Sequence, residues 1–159
     1  MRRLVLVGLI VALAVMLMGT LMAVNLDRGG AGGGPCADRL GFDERNGVTL
    51  TLRPAFVGSG VRSIEYTIVN RRSEPVYFGA PYDVQKFTDG KWVTVEWMKD
   101  RVWIMILYSL NSGGSMTLTV ELPEDIEPGC YRLVKEVMLR DTTESEWKVE
   151  LVATFVVER

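Results

Sequence analysis

From Val48 onward the chain alternates apolar and polar positions with a period of two, in short runs broken by Gly, Pro, Asn and Asp. Val48, Leu50 and Leu52 alternate with Thr49, Thr51 and Arg53; Ile64, Tyr66 and Ile68 alternate with Ser63, Glu65 and Thr67. Successive side chains of a strand point to opposite faces, so each run presents one apolar face. Leu118, Val120 and Leu122 repeat the pattern, as do Leu151, Ala153, Phe155 and Val157. Further strands are expected at 76–78, 82–87, 91–98 and 102–108, and no convincing helical stretch interrupts them. The pattern predicts an all-β domain of about seven to nine short antiparallel strands, packed as two layers.

The N-terminal pattern is different. Residues 4–24 are 21 consecutive uncharged positions, which as a helix would span roughly 31 Å, the thickness of a bilayer's hydrocarbon core. Arg2 and Arg3 precede the run, and the positive-inside preference then holds the N-terminus in the cytoplasm and sends the rest of the chain across. A cleaved secretory signal is the competing expectation. Its apolar region is usually about 7 to 15 residues long and ends in small residues, whereas Leu21 and Met22 are bulky. Lipid attachment at Cys36 is disfavoured because Gly34 and Pro35 precede it, far beyond the apolar run. Residues 27–35 are too rich in glycine to order themselves and read as a flexible tether. The expected organisation is a cytoplasmic tip and one N-terminal transmembrane helix at 1–26, a tether at 27–35, and a domain at 36–159.

One corner sharpens the fold class. Pro128, Gly129 and Cys130 lead into Tyr131, and sandwich folds place a tyrosine at such a corner, burying the ring while its hydroxyl bonds upstream backbone. The expected fold is an Ig-like β-sandwich, with an up-and-down barrel as the less fitting arrangement. The stretches 68–70 and 74–79, then Asp89, Gly90, Lys91 and Trp92, and finally 128–135 together resemble a family of bacterial Ig-like domains. That resemblance covers most of residues 48–157. It implies an extracytoplasmic domain beside a membrane or lipid anchor and no enzymatic activity. It says almost nothing about a ligand.

Composition and charge remove several function classes. The first 34 residues contain Arg2, Arg3, Arg28 and Asp27, so the remainder carries 15 basic and 19 acidic residues. A net charge of −4 argues against nucleic acid, whose phosphates need a concentrated basic face. Histidine is absent from the sequence, which removes the commonest general base and metal ligand together. Ser109, Ser112 and Ser115 therefore lack a histidine partner, and no Gly-x-Ser-x-Gly elbow exists. The acidic groups at 121–127 and 141–150 lack a calcium-loop spacing. No cofactor and no metal are expected.

Cys36 and Cys130 are the two cysteines, without zinc-type spacing. Outside the membrane the compartment permits disulfides, so a Cys36–Cys130 bridge is expected. If Tyr131 and Leu133 face the core, alternation turns Cys130 and Arg132 to the outer face, where the bridge would pin the end of the tether.

Among the tryptophans, Trp92 is expected to cover an edge of the sandwich, and Trp97 to continue the Val93, Val95 face into the core, rather than to form a sugar or cation site. Residues 102–107 are apolar on both alternating faces. One face can enter the core. Trp103, Met105 and Leu107 then pack under a loop or form a patch that docks a partner.

The function expected is a non-catalytic binding or scaffolding module. It is tethered to the cell membrane by its N-terminal helix and faces an unidentified protein or cell-envelope partner. The alternatives are a subunit or anchor of a surface filament, pilin-like or archaellum-stator-like, and an inhibitor of an extracellular hydrolase.

Overall fold

A computed structural model of the protein describes residues 34–141 and 144–159. The expected membrane helix and most of the tether lie outside the described residues, among which no helix is long and apolar enough to cross a membrane.

Among the described residues eleven strands run in chain order: β1 (Phe42–Arg45), β2 (Val48–Arg53), β3 (Phe56–Val57), β4 (Ser63–Asn70), β5 (Val76–Gly79), β6 (Asp83–Thr88), β7 (Lys91–Thr94), β8 (Leu107–Leu110), β9 (Ser115–Glu121), β10 (Gly129–Met138) and β11 (Lys148–Val157). One short helix, α1 (Glu96–Lys99), stands between β7 and β8. The first sheet has the order β1-β2-β4-β9; the second has the order β3-β11-β10-β5-β8, with β6 beside β10 and β7 beside β6. The alternating residues meet as the pattern predicts. Leu50, Leu52, Ile64, Tyr66 and Ile68 of the first sheet share one buried cluster with Leu133, Val137, Leu151, Ala153 and Phe155 of the second.

Three local expectations are corrected. The strand count exceeds the expected seven to nine, because β1 and β3 are further short strands and β3 runs parallel to β11 rather than antiparallel. The 91–98 run stops being a strand at Thr94 and turns into α1, whose Met98 is buried while Val93 is 41% exposed. Trp97 consequently only flanks the core, half-buried on a helical turn. The 102–108 run is strand only from Leu107.

The feature that positions this last segment is a change of partner along β10. Tyr131 to Val134 pair with β6, but Met138 pairs with β5. Where β5 gives way to β6, the chain passes through Gly79 to Pro81, and the buried Lys135 reaches into the gap. Its Nζ donates to the carbonyls of Gly79 at 2.5 Å and Pro81 at 2.6 Å, and it lies 5.3 Å from the Phe78 ring centroid. Two carbonyl dipoles and a ring face make a buried ammonium tolerable, since an unpaired one would be very costly. At the other end of β5, Asn70 Nδ2 donates to the carbonyls of Glu74 and Leu110, tying β4 to the end of β8.

Candidate functional site

The site is built by the way the chain re-enters the second sheet after the β6–β7 hairpin. Asp89 and Gly90 take positive φ values of 51° and 78°, the geometry of a tight two-residue hairpin turn. α1 then drives Met98 into the core, and Arg101 follows. Its guanidinium stacks over Tyr82 at 5.1 Å and over Trp103 at 4.8 Å, while Tyr82 and Trp103 meet edge to face at 4.6 Å. Cation–π and edge-to-face contacts thus hold Trp103 against the sandwich. Having spent this one side chain on the core, the segment leaves its others outside.

Met105 is fully exposed at 102%, Val102 is 93% exposed, Ile104 67%, Leu107 54% and Ile106 41%. The backbone turns between Ile104 and Ile106, whose N–H donates to the Ile104 carbonyl at 3.1 Å, so the residues do not alternate between two faces. Leu107 then starts β8, opposite Gly79 of β5. β8 ends the order of its sheet, so among the described residues its far edge has no strand beside it. Ile104, Met105, Ile106 and Leu107, with Pro81 and Met138, line an open cavity of about 430 Å³.

The predicted patch of Trp103, Met105 and Leu107 is therefore divided. Met105 and Leu107 are exposed, whereas Trp103 is half-buried against Tyr82. Val102, Ile104 and Ile106, expected to form the inward face, are exposed with them. The sequence signal for this was the run being apolar on both faces, which no single strand at a sheet edge can bury.

The disulfide joins Cys36 to Cys130 with their Cα atoms 5.7 Å apart. Tyr131 and Leu133 are buried while Cys130 and Arg132 on either side of Tyr131 are half-buried, as the alternation predicts. At the corner, Tyr131 donates its hydroxyl to the Glu127 carbonyl at 2.6 Å, and its ring stacks on Phe155 at 5.3 Å. Gly129, preceded by Pro128, has φ +151°, and a Cβ there would stand 3.0 Å from Lys86 Cε. Burial pushes the Tyr131 phenol up, and the salt bridge to Lys86 holds the exposed Glu127 carboxyl below its ordinary range. Pro128, Gly129 and Tyr131 make a structural corner, apart from the exposed patch.

Trp92 lies beside Phe87, their centroids 5.2 Å apart, under the Arg132 guanidinium at 4.6 Å. Of the loop acids, Glu124 pairs with Arg62 and Glu127 with Lys86. Among the described residues no group of three or more His, Cys, Asp or Glu is placed to hold a metal ion.

A family model described as a bacterial Ig-like domain matches residues 44–151, which takes in both sheets from the end of β1 into β11. The chain belongs to the bacterial Ig-like domain family. No curated protein matches it. Among solved structures, this Ig-like chain is similar to part of an alkylpurine DNA glycosylase of Pseudomonas fluorescens bound to DNA containing an abasic site analogue. The identity there is 17% and the TM-score 0.38, over 75% of this chain and 32% of the other. A β-glucosidase of Listeria innocua in complex with glucose is similar at 21% identity and TM-score 0.35, over 70% of this chain and 16% of the other. The Ig-like chain thus spans less than a third of the length of both enzymes.

Proposed function

We propose that this protein is a non-catalytic docking module, held outside the cell membrane by its N-terminal apolar segment. It takes a partner protein along residues 102–107 and the far edge of β8. The observation that carries this reading is the exposure of the four consecutive residues Ile104, Met105, Ile106 and Leu107, with Val102 exposed beyond Trp103. Contiguous apolar surface of this kind is costly to leave in water and marks interaction sites.

The adjoining edge supplies the backbone half of the recognition. An extended partner segment laid beside β8 would take up the outward N–H and C=O groups of Leu107–Leu110, while the cavity between residues 104–107 and Met138, on the other side of β8, offers a separate apolar recess. The disulfide supports an oxidising compartment, and the uncharged run 4–24 after Arg2 and Arg3 supports the anchor.

A photo-crosslinking amino acid at Met105 in the full chain, expressed in its native membrane, tests this. The expected result is one discrete adduct that is absent when the same probe stands at Lys91 on the β6–β7 hairpin. An adduct of twice the chain's mass would identify a second copy as the partner. No adduct at Met105, or equal labelling from both positions, would overturn the reading.

A further inference from the structure

On the outer face of the second sheet, away from residues 102–107, lies a second concavity of about 500 Å³. Arg39, Arg45, Arg132 and Lys148 line it, with Glu150 the one carboxylate in its wall. Such a concentration of cations is unexpected in a chain of net charge −2. The local ion pairing leaves it incomplete. Arg39 Nη1 and Arg45 Nε both point at the same oxygen, Asp43 Oδ2, at 3.6 Å and 3.4 Å. That oxygen already accepts the Val152 N–H at 2.8 Å. One buried carboxylate is therefore divided between two guanidinium groups and a backbone amide. Lys148 is paired with Glu136 at 3.0 Å.

Arg132 has no carboxylate at salt-bridge distance among the described residues. Its Nε donates to the neutral Gln85 Oε1 at 2.7 Å and its guanidinium stacks on Trp92. Burial and the like charge of Arg39 both push the Arg132 guanidinium below its ordinary range, against the pull of Glu150 and Asp83. Arg39 and Arg132 also line the neighbouring hollow with Pro35, Asp38 and Trp92, beside the point where the tether reaches Cys36. The concavity thus holds three planar, multi-donor guanidinium groups and one ammonium, with Arg39 and Arg45 sharing a single carboxylate oxygen and Arg132 lacking one at salt-bridge distance among the described residues, the chemistry that binds phosphate oxygens through several N–H groups at once.

We propose that the concavity lined by Arg39, Arg45, Arg132 and Lys148 binds a phosphate group. The same chemistry is offered by a free phosphate anion and by the headgroup of an anionic phospholipid, the second source resting on the membrane anchor proposed above. Neither source depends on the docking of a partner at Met105.

The test uses the full chain labelled with fluorotryptophan in nanodiscs, with the Trp92 resonance assigned from Trp92→Phe. In one arm inorganic phosphate is titrated into phosphatidylcholine discs; in the other, phosphatidylglycerol replaces part of the phosphatidylcholine and no phosphate is added. The expected result is a saturable shift of Trp92, with Trp103 unmoved, in at least one arm. A shift with phosphate identifies the free anion as a ligand, and a shift with phosphatidylglycerol identifies the headgroup. Arg39→Gln, which removes a charge-assisted contact while leaving the Arg132–Trp92 stack in place, should weaken the response about tenfold. Arg45→Gln should do the same, and the Trp103 and Trp147 resonances report whether either variant is folded. No Trp92 shift in either arm, or an Arg39→Gln protein that titrates as the parent does, would overturn the proposal.

Discussion

Lys135 donates its Nζ to the Gly79 carbonyl across 2.5 Å, which places a lysine in the core where the second sheet changes strands. Burial pushes this ammonium down to about 8, against about 10.4 for an unfolded lysine. Between those values the unfolded chain binds more protons than the folded one, so stability rises with pH from about 8 toward 10. Below the folded value both states carry the charge, and the contribution is constant. The phenols of Tyr66, Tyr82 and Tyr131 are raised by burial and act in the opposite sense only at higher pH. The urea midpoint should therefore increase between about pH 7.5 and 9.5, and Lys135→Met should flatten that slope. A parent midpoint that falls over this interval would contradict the assignment.

The Cys36–Cys130 bridge spans a sequence separation of 94. Closing so long a loop restrains the unfolded chain, and losing it should cost about 4 to 5 kcal/mol in the chain-entropy model. The double variant Cys36→Ala, Cys130→Ala is expected to unfold at markedly lower urea than the parent. Alkylation of the denatured, unreduced protein should label no thiol; two labelled thiols would show that the bridge is not formed.

Removing the Tyr131 hydroxyl isolates the corner bond to Glu127. Tyr131→Phe keeps the ring against Phe155 and should lose about 1 kcal/mol, the usual worth of one intramolecular hydrogen bond. Tyr131→Ala removes the buried ring as well and should cost on the order of 3 kcal/mol or more. Thermal unfolding of the two variants side by side would read the difference.

Met105 and Trp103 separate docking from folding, although they are two residues apart. Met105→Asp alters a fully exposed side chain and should move stability by less than about 0.5 kcal/mol. It should abolish the cross-link to the partner, read with the probe moved from Met105 to Ile104. Trp103→Ala breaks the stack with Arg101 and Tyr82 and should cost on the order of 2 kcal/mol. If Met105→Asp destabilised the protein as much as Trp103→Ala, the segment would belong to the core.

The strands that bury one clean apolar face were readable because alternation alone decides their orientation. Val48, Leu50 and Leu52, then Ile64, Tyr66 and Ile68, and Leu151, Ala153, Phe155 and Val157 are all buried, as their period requires. β1 carried a signal that the apolar pattern passed over. Its Asn46 and Gly47 take positive φ values of 51° and 76°, a two-residue hairpin turn to β2, but the flanking strand contributes no buried apolar side chain. β3 is two residues long and too short for any period. Trp97 misled because alternation continues on paper from Val93 and Val95, while the backbone has already turned into α1.

The sequence by itself determined the two-layer β architecture, the pairing of Cys36 with Cys130 and the corner at Tyr131. These follow from local periodicity, from there being two cysteines, and from turn chemistry adjacent in the chain. Tertiary structure decided the exposed segment and the fate of Lys135. Residues 102–107 are apolar throughout, so their pattern names no inward face. Stacking with Arg101 and Tyr82 selects Trp103, and the end of the sheet at β8 leaves the others uncovered. Alternation puts Lys135 on the core face with Tyr131 and Leu133, but its acceptors, the carbonyls of Gly79 and Pro81, lie more than fifty residues away along the chain. A period fixes which face a side chain takes; what waits for it there depends on which strands the fold brings alongside.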